Sequence, residues 1–424
     1  MTRSAYACGS LLALVVGCGA RTPLDPPDGS DGGGGGATTA TTSVSTGGGG
    51  DGSGTCELVI SGAPLGFEDL WPKNPSFWPR LTPVGDSSDR VAVVYRWDGY
   101  DKGVSLADIA MSPWGAWGPE MFESAWGINT QNAGEHLVDS APGDQIAVLT
   151  LTGASPALYV IEPSAPSFDN LVLGGGFGIR PLAVSRGISD YLVAYERIEN
   201  NERLGVMGHV GPNGLVDVDE AIVCANAPLA ADAIPTSKGY LAVVSSGRSF
   251  GTCLEPSLSS GPPGDMFVLR IEHGVEVASL VKGDPIDYLA IQPRIGGAWI
   301  AIRRKGSPLS WQAVDPFGFL ETAAQPLGNP PDDAVIATTH AGAWLVAAWA
   351  DPLGTQELSV VATDGERTLN LAIPGGYDPP DGQVSLLGSP DGRYVLVAWS
   401  QLRDELWKRV RLARLELTPS CQSR

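Results

Sequence analysis

Six cysteines, four histidines and one crowd of aromatics are the residues of this 424-residue chain whose types and spacing could do chemistry. Cys8 and Cys18 fall in or just behind an apolar N-terminal run, and Cys56, Cys224, Cys253 and Cys421 are spread over the remainder. None sits in Cys-x-x-Cys spacing, and His136, His209, His273 and His340 are far apart in sequence. Neither a zinc site nor a His-rich metal centre is expected, and no cofactor is implied. Asp217, Asp219 and Glu220 could meet Ca²⁺, but a charge cluster this small is expected to be a solvated turn. Between residues 98 and 136 lie Tyr100, Trp114, Trp117, Phe122 and Trp126, with Asn129, Gln131 and Asn132 among them. Ring faces beside amides suit a sugar, whose C–H groups pack on the ring while its hydroxyls meet side-chain donors. Tyr100, Trp114, Trp117 and Trp126 are therefore the candidate ligand-binding residues. The plainer expectation is that these aromatics pack the interior.

No catalytic residue is assigned. The chain has no Gly-x-Ser-x-Gly elbow, no His-Glu-x-x-His and no phosphate-binding loop. Residues 174–178 carry a fragment of a dinucleotide fingerprint, but they fall between strand-like runs and are expected to be a turn. His209 and His340 lie in or beside strand-like runs and are expected to be packed or rim histidines.

The elements that would carry these residues begin with an export signal. Arg3 precedes an apolar run over 5–16 that is shorter than the roughly 20 residues needed to cross a bilayer core. It has the size of a signal-peptide core instead. Val15-Val16-Gly17-Cys18 resembles the bacterial lipobox, the motif of exported lipoproteins. The resemblance implies cleavage before Cys18, a diacylglycerol on its thiol and an acyl group such as palmitate on the new amino group. Cys8 has few apolar residues ahead of it and is expected to leave with the signal peptide, residues 1–17. Residues 18–55 follow the lipid with Gly, Thr, Ser and Asp and almost no large apolar side chain. Such a segment cannot bury enough surface to fold, and about 37 residues of it span roughly 30–35 Å as a flexible coil. The expected location is the bacterial envelope, on the outer membrane, facing the periplasm or the outside.

From Cys56 to Cys421 the apolar residues follow a strand period, with Gly, Pro and Asp clusters between runs. One run type recurs seven times, starting at Val91, Ile146, Tyr191, Tyr240, Trp299, Trp344 and Tyr394. The intervals are 55, 45, 49, 59, 45 and 50 residues. Each run is followed by a polar turn and a second strand-like run, for example 157–162, 204–210 and 410–417. Such a unit has room for about four strands. Seven such units predict an all-β fold, a seven-bladed β-propeller over 56–421 with a short tail, 422–424. The recurrent run is then an inner strand covered on both faces. Ring closure would pair 56–60 with the strand ending near Leu417. That pairing favours disulfides Cys56–Cys421 and Cys224–Cys253 among the three connectivities four cysteines allow. The insertion 247–264, which holds Cys253, is expected to be a loop laced to Cys224.

Ser389-Pro390-Asp391-Gly392 resembles the turn motif of TolB-like propellers, which implies a turn before an inner strand. It occurs once, and neither a repeated Trp-Asp signature of the WD40 kind, Trp97-Asp98 being a single instance, nor the sialidase Asp-box is present. A formal net charge of −20 argues against nucleic acid and against anionic headgroups as partners. The preferred expectation is a monomeric binding propeller, lipid-anchored, that holds a protein or glycan partner. The alternative is a propeller hydrolase or lyase acting on extracellular polysaccharide through carboxylates near the channel.

Overall fold

The computed structural model describes residues 55–66, 76–97, 104–118, 122–129, 136–152, 155–162, 168–172, 177–199, 202–211, 216–225, 230–245, 264–272, 274–332, 334–350, 357–374, 383–404 and 407–422. Cys18, Tyr100 and Cys253 lie outside them, as do all residues of the expected signal peptide, 1–17, and residues 18–54 of the expected tether.

The described residues form seven antiparallel sheets. Two short strands come first, β1 (Leu58–Ile60) and β2 (Leu65–Gly66). Blade 1 is β3 (Ser76–Val84), β4 (Ser87–Trp97), β5 (Val104–Met111) and β6 (Phe122–Asn129). Blade 2 is β7 (Leu137–Ala141), β8 (Gln145–Thr152), β9 (Ser155–Ile161) and β10 (Phe168–Val172). Blade 3 is β11 (Phe177–Arg186), β12 (Tyr191–Glu199), β13 (Glu202–Val210) and β14 (Val216–Ala225). Blade 4 is β15 (Ala231–Pro235), β16 (Tyr240–Ser245), β17 (Met266–Ile271) and β18 (Val275–Val281). Blade 5 is β19 (Ile286–Arg294), β20 (Gly297–Arg304), β21 (Leu309–Val314) and β22 (Gln325–Gly328). Blade 6 is β23 (Ile336–Ala341), β24 (Trp344–Ala350), β25 (Glu357–Thr363) and β26 (Thr368–Pro374). Blade 7 is β27 (Val384–Gly388), β28 (Tyr394–Asp404) and β29 (Trp407–Leu417), completed by β1 and β2 on the free edge of β29. The first strands of the blades touch in an unbroken cycle, β3 on β7, β11, β15, β19, β23, β27 and back to β3. This is a seven-bladed β-propeller.

The seven recurrent apolar runs all fall in the second strands, β4, β8, β12, β16, β20, β24 and β28. Successive side chains of a strand point to opposite faces, so a strand buried on both sides must be apolar throughout. The core shows this directly, as seven clusters with one at each junction between consecutive blades. Val91, Val93 and Tyr95 pack toward blade 7, with Leu396 and Leu412, while Ala92 and Val94 pack toward blade 2, with Ile146 and Tyr159. The same alternation runs round the ring, with Leu241 and Val243 facing blade 5 and Tyr240 and Ala242 facing blade 3.

Chain ends close the ring. Leu58, Val59 and Ile60 pair with Leu417, Glu416 and Leu415, and a disulfide joins Cys56 to Cys421 with a Cα–Cα separation of 4.6 Å. Thr418 braces the same junction, accepting from the Glu57 N–H at 2.9 Å and donating to the Thr55 carbonyl at 3.1 Å. The Ser389-Pro-Asp-Gly turn precedes β28. Ser389 Oγ donates to Asp391 at 2.5 Å and accepts from the Tyr394 N–H at 2.8 Å. Gly392 takes φ +73° with its Cα packed on the Gly342 turn of blade 6, where a side chain has no room.

Two expectations need correction. In the stretch 174–178, expected to be a turn, Phe177 and Gly178 open β11 and pair with Ile198 and Arg197. Asp217, Asp219 and Glu220 do not form a turn but lie inside β14, the outer strand of blade 3, with Asp217 paired to His209. Val216, Val218, Ile222 and Val223 are β-branched, and that strand preference outweighs the acidic residues between them.

Candidate binding cleft at the turn end of the ring

In a four-stranded meander the first and third turns lie at the same end. Here this is the end where neighbouring blades interlock through their turns. The Gly85 N–H donates to the Gln145 carbonyl at 2.8 Å, and the Asp86 N–H to the Gly143 carbonyl at 3.1 Å. Gly85 has φ +63°, and a Cβ there would lie 1.6 Å from the Gly143 oxygen, so only glycine permits the approach.

A cleft of about 370 Å³ opens at this end, with walls from four blades. Leu387, Gly388 and Pro390 come from blade 7, Pro83, Gly85, Asp86, Val91 and Trp114 from blade 1, Ser140 from blade 2 and Arg186 from blade 3. Its lining is mostly apolar, with one ion pair. Arg186 Nη2 donates to Asp86 Oδ1 at 2.5 Å, and its Nη1 lies 3.4 Å from the Gly85 carbonyl and 3.5 Å from Ser140 Oγ. The Asp86 side chain is 71% exposed and that of Arg186 17%. The hydrogen bond and charge of Arg186 hold the Asp86 carboxyl below the usual carboxylate range. An apolar floor, an indole and a partly exposed ion pair can bind a ligand with both an apolar face and polar groups.

Around the ring, side chains of the first strands fasten four of the blades to the next. Asp139 on β7 accepts from the Arg186 N–H of β11 at 2.7 Å and from the Ser140 N–H at 2.7 Å. Asp232 on β15 repeats the device, accepting from the Ile291 N–H of β19 and the Ala233 N–H, both at 2.9 Å. Neutral versions occur where Thr339 Oγ1 accepts from the Gly388 N–H at 3.2 Å and Ser385 Oγ from the Leu81 N–H at 3.0 Å. Burial pushes Asp139 up to about 6 and Asp232 up to about 7, against the downward pull of those N–H donors. Burial likewise lowers His340, which favours its neutral form. His209 sits on the blade 3–4 seam, its Nδ1 2.9 Å from Asp190 Oδ2, while the Tyr240 hydroxyl donates to Asp190 Oδ1 at 2.9 Å.

Of the aromatics singled out in the sequence, Trp114 lines the cleft. Trp117 is engaged elsewhere. Its Nε1 donates to the Ala63 carbonyl at 2.8 Å, and the Arg414 guanidinium lies 5.1 Å from its ring centroid. Trp126 sits in β6 paired to Ala107, and its side chain lies outside the described residues, as does that of Cys224 in β14. Asp86, Arg186, Asp139 and Asp232 carry no local motif. The one sequence signal at Asp139 and Asp232 is a carboxylate in the short stretch just ahead of an apolar run.

No protein-family model matches the chain, and a search of curated proteins returns no match. Solved structures do resemble it. TolB from Acinetobacter baumannii aligns over 69% of this chain and 65% of its own length, at 16% identity and a TM-score of 0.43. The β-propeller domain of the Trilobed protease from Pyrococcus furiosus aligns over 81% of this chain and 99% of its own, at 10% identity and 0.47. Uncomplexed acylaminoacyl peptidase from Pyrococcus horikoshii aligns over 83% of this chain at 10% identity and a TM-score of 0.50. The chain spans 65% of the TolB structure and 54% of the peptidase. At such identity the likeness is one of fold, and by its fold the chain is a seven-bladed β-propeller.

Proposed function

We propose that the chain is an exported lipoprotein, acylated on Cys18 and held at the bacterial envelope, whose ring binds a protein or glycan through the cleft at its turn end. The observation that carries this reading is the cleft itself, where four blades contribute to one apolar depression holding Trp114 and the Asp86–Arg186 pair. A sugar ring or an apolar side chain would pack on the indole, and polar groups of the ligand would exchange with water around the ion pair. The test is a glycan array and an envelope pull-down with the full chain. Trp114→Ala and Arg186→Ala should each lower retention at least about tenfold, a loss of roughly 1.4 kcal/mol. Retention unchanged in both variants would place binding elsewhere on the ring.

Asp139 and Asp232 support a second reading, a hydrolase or lyase acting on polysaccharide, because carboxyls raised to about 6 and about 7 suit general acid catalysis. It stands behind the first because each carboxylate already accepts two backbone N–H groups, a fastening role. Polysaccharide cleavage by the wild type that Asp139→Asn and Asp232→Asn abolish, with melting temperature unchanged, would reverse the order.

A further inference from the structure

The turn end of the ring carries a second feature that the cleft does not use. Ile188, Ile295, Phe317 and Phe319 are 79%, 85%, 54% and 56% exposed. They occupy the first turns of blades 3 and 5 and the third turn of blade 5, all at this end. The phenylalanines are presented by a fixed turn. The Phe317 and Phe319 N–H groups both donate to Asp315 Oδ1, at 2.9 and 2.8 Å. Gly318 between them, at φ +86°, packs on Ala278, Leu241 and Val268, and its carbonyl accepts from Ser279 Oγ at 2.8 Å. With the turn pinned against blade 4, both rings stay more than half exposed.

The tether joins the ring at this same end. Thr55, the first described residue, accepts at its carbonyl from Ser420 Oγ at 2.6 Å, just beyond the C-terminal end of β29. Anything attached through residues 18–54 therefore leaves from the end that bears the exposed apolar turns. By strand direction, two independent features belong to the same end of the ring.

We propose that this end of the ring rests on the lipid bilayer, with Ile188, Ile295, Phe317 and Phe319 entering its interfacial layer. The proposal rests on acylation of Cys18, which would hold the ring near lipid at high effective concentration; the apolar turns then set which end faces down. Side chains of this kind at headgroup depth bind through buried apolar area, and acidic neighbours oppose anionic lipid. Asp86, Asp144 and Glu321 at this end are each ion-paired with an arginine, Arg186, Arg90 and Arg294, so these groups offer an anionic headgroup no free cation and, with the chain's net charge of −20, a zwitterionic surface is the preferred one. The cleft opens on the same side, which makes its ligand one displayed at the membrane surface.

The test is hydrogen exchange of the full chain on phosphatidylcholine vesicles, comparing the wild type with a Phe317→Ser, Phe319→Ser double variant. Both phenylalanines are exposed, so the variant should keep its melting temperature. The peptide over 186–191, a blade 3 turn that the substitutions do not touch, is the readout. It should exchange roughly threefold faster in the variant, and replacing phosphatidylcholine by phosphatidylglycerol should speed it in the wild type by a similar factor. Equal exchange in wild type and variant, with both chains floating with the vesicles, would overturn the docking while leaving the anchor intact. A wild type with no added lipid mass at Cys18 that fails to float would instead overturn the anchor, and the same comparison at vesicle excess then decides docking by itself. Protection that grows with the protein-to-lipid ratio would identify a second copy as the occupant and overturn the lipid assignment.

Discussion

Asp139 and Asp232 show how a polar side chain earns its place near the axis of an apolar ring. Each spans from its own strand to the backbone of the next blade, and each is held above the ordinary carboxylate value of 3.8, at about 6 and about 7, because burial outweighs the N–H donors. Between about pH 4 and those values the folded ring binds more protons than the unfolded chain. The contribution of these two groups is therefore full below 3.8 and is lost as pH rises through that interval. At about 1.4 kcal/mol per unit, and allowing for residual hydration, the loss is roughly 1–3 kcal/mol per group. The melting temperature should fall as pH rises from about 4 to about 7, and Asp232→Asn should flatten that fall; a profile unchanged in the variant would show that Asp232 titrates normally. Asp86 and Asp364 are shifted the opposite way and act as pH drops below their ordinary range, so they do not mask the effect. Arg414 offers a second check. It is 8% exposed, lies 5.1 Å from the Trp117 centroid and 4.8 Å from that of Tyr394, and donates to the Pro113 and Gly115 carbonyls at 3.0 and 2.7 Å. Arg414→Met keeps much of the packing but strands two carbonyls, and should destabilise by about 2–3 kcal/mol in denaturant unfolding. Neither role was visible in the sequence, because the partners lie 47 residues away for Asp139 and about 300 for Arg414. Trp114 was picked out, but as one of a group, and only the fold separates it from Trp117.

Strands differ in how openly they declare themselves. The second strand of each blade is buried on both faces, so its sequence is an unbroken apolar run, and all seven could be counted. First strands bear bulges, prolines and polar fasteners, and hide accordingly. β3 shifts register between Phe77 and Arg80, where Trp78 takes φ +58°, and Pro181, Pro235 and Pro293 sit in β11, β15 and β19. A proline there is tolerated because an innermost strand has one edge free of ladder partners. The two-residue β2 is too short to leave a pattern, and β14 was obscured by its acidic residues. The two-faced burial gives a test at this scale. Leu241→Ala on β16, facing blade 5, should cost about 2–4 kcal/mol, and Ala242→Leu, facing blade 3, about 1–3 kcal/mol by overpacking. Val277→Ala on outer β18, where the residue is 40% exposed, should stay within about 0.5 kcal/mol. If Ala242→Leu were as mild as Val277→Ala, the second strand would be packed on one face only.

A ring of seven sheets has no natural start, and this chain makes one by laying β1 against β29 and bridging Cys56 to Cys421. The bridge spans 365 residues of sequence, so nearly the whole ring is inside the loop it closes. Chain entropy alone then assigns it about 5–6 kcal/mol, through the unfolded state. The anchor proposed at Cys18 and this clamp lie 38 positions apart, on either side of a sequence rich in Gly and poor in apolar residues. Their effects should separate cleanly. Cys56→Ser should lower the denaturation midpoint of the ring, and reductant should lower the wild type at least as far. The fraction recovered with membranes should not change. Cys18→Ser should do the reverse, blocking acylation and changing membrane recovery while the unfolding midpoint stays at the wild-type value. A single substitution that moved both readouts would mean that tether and ring are coupled, and the lipid would then stabilise the fold rather than only locate it.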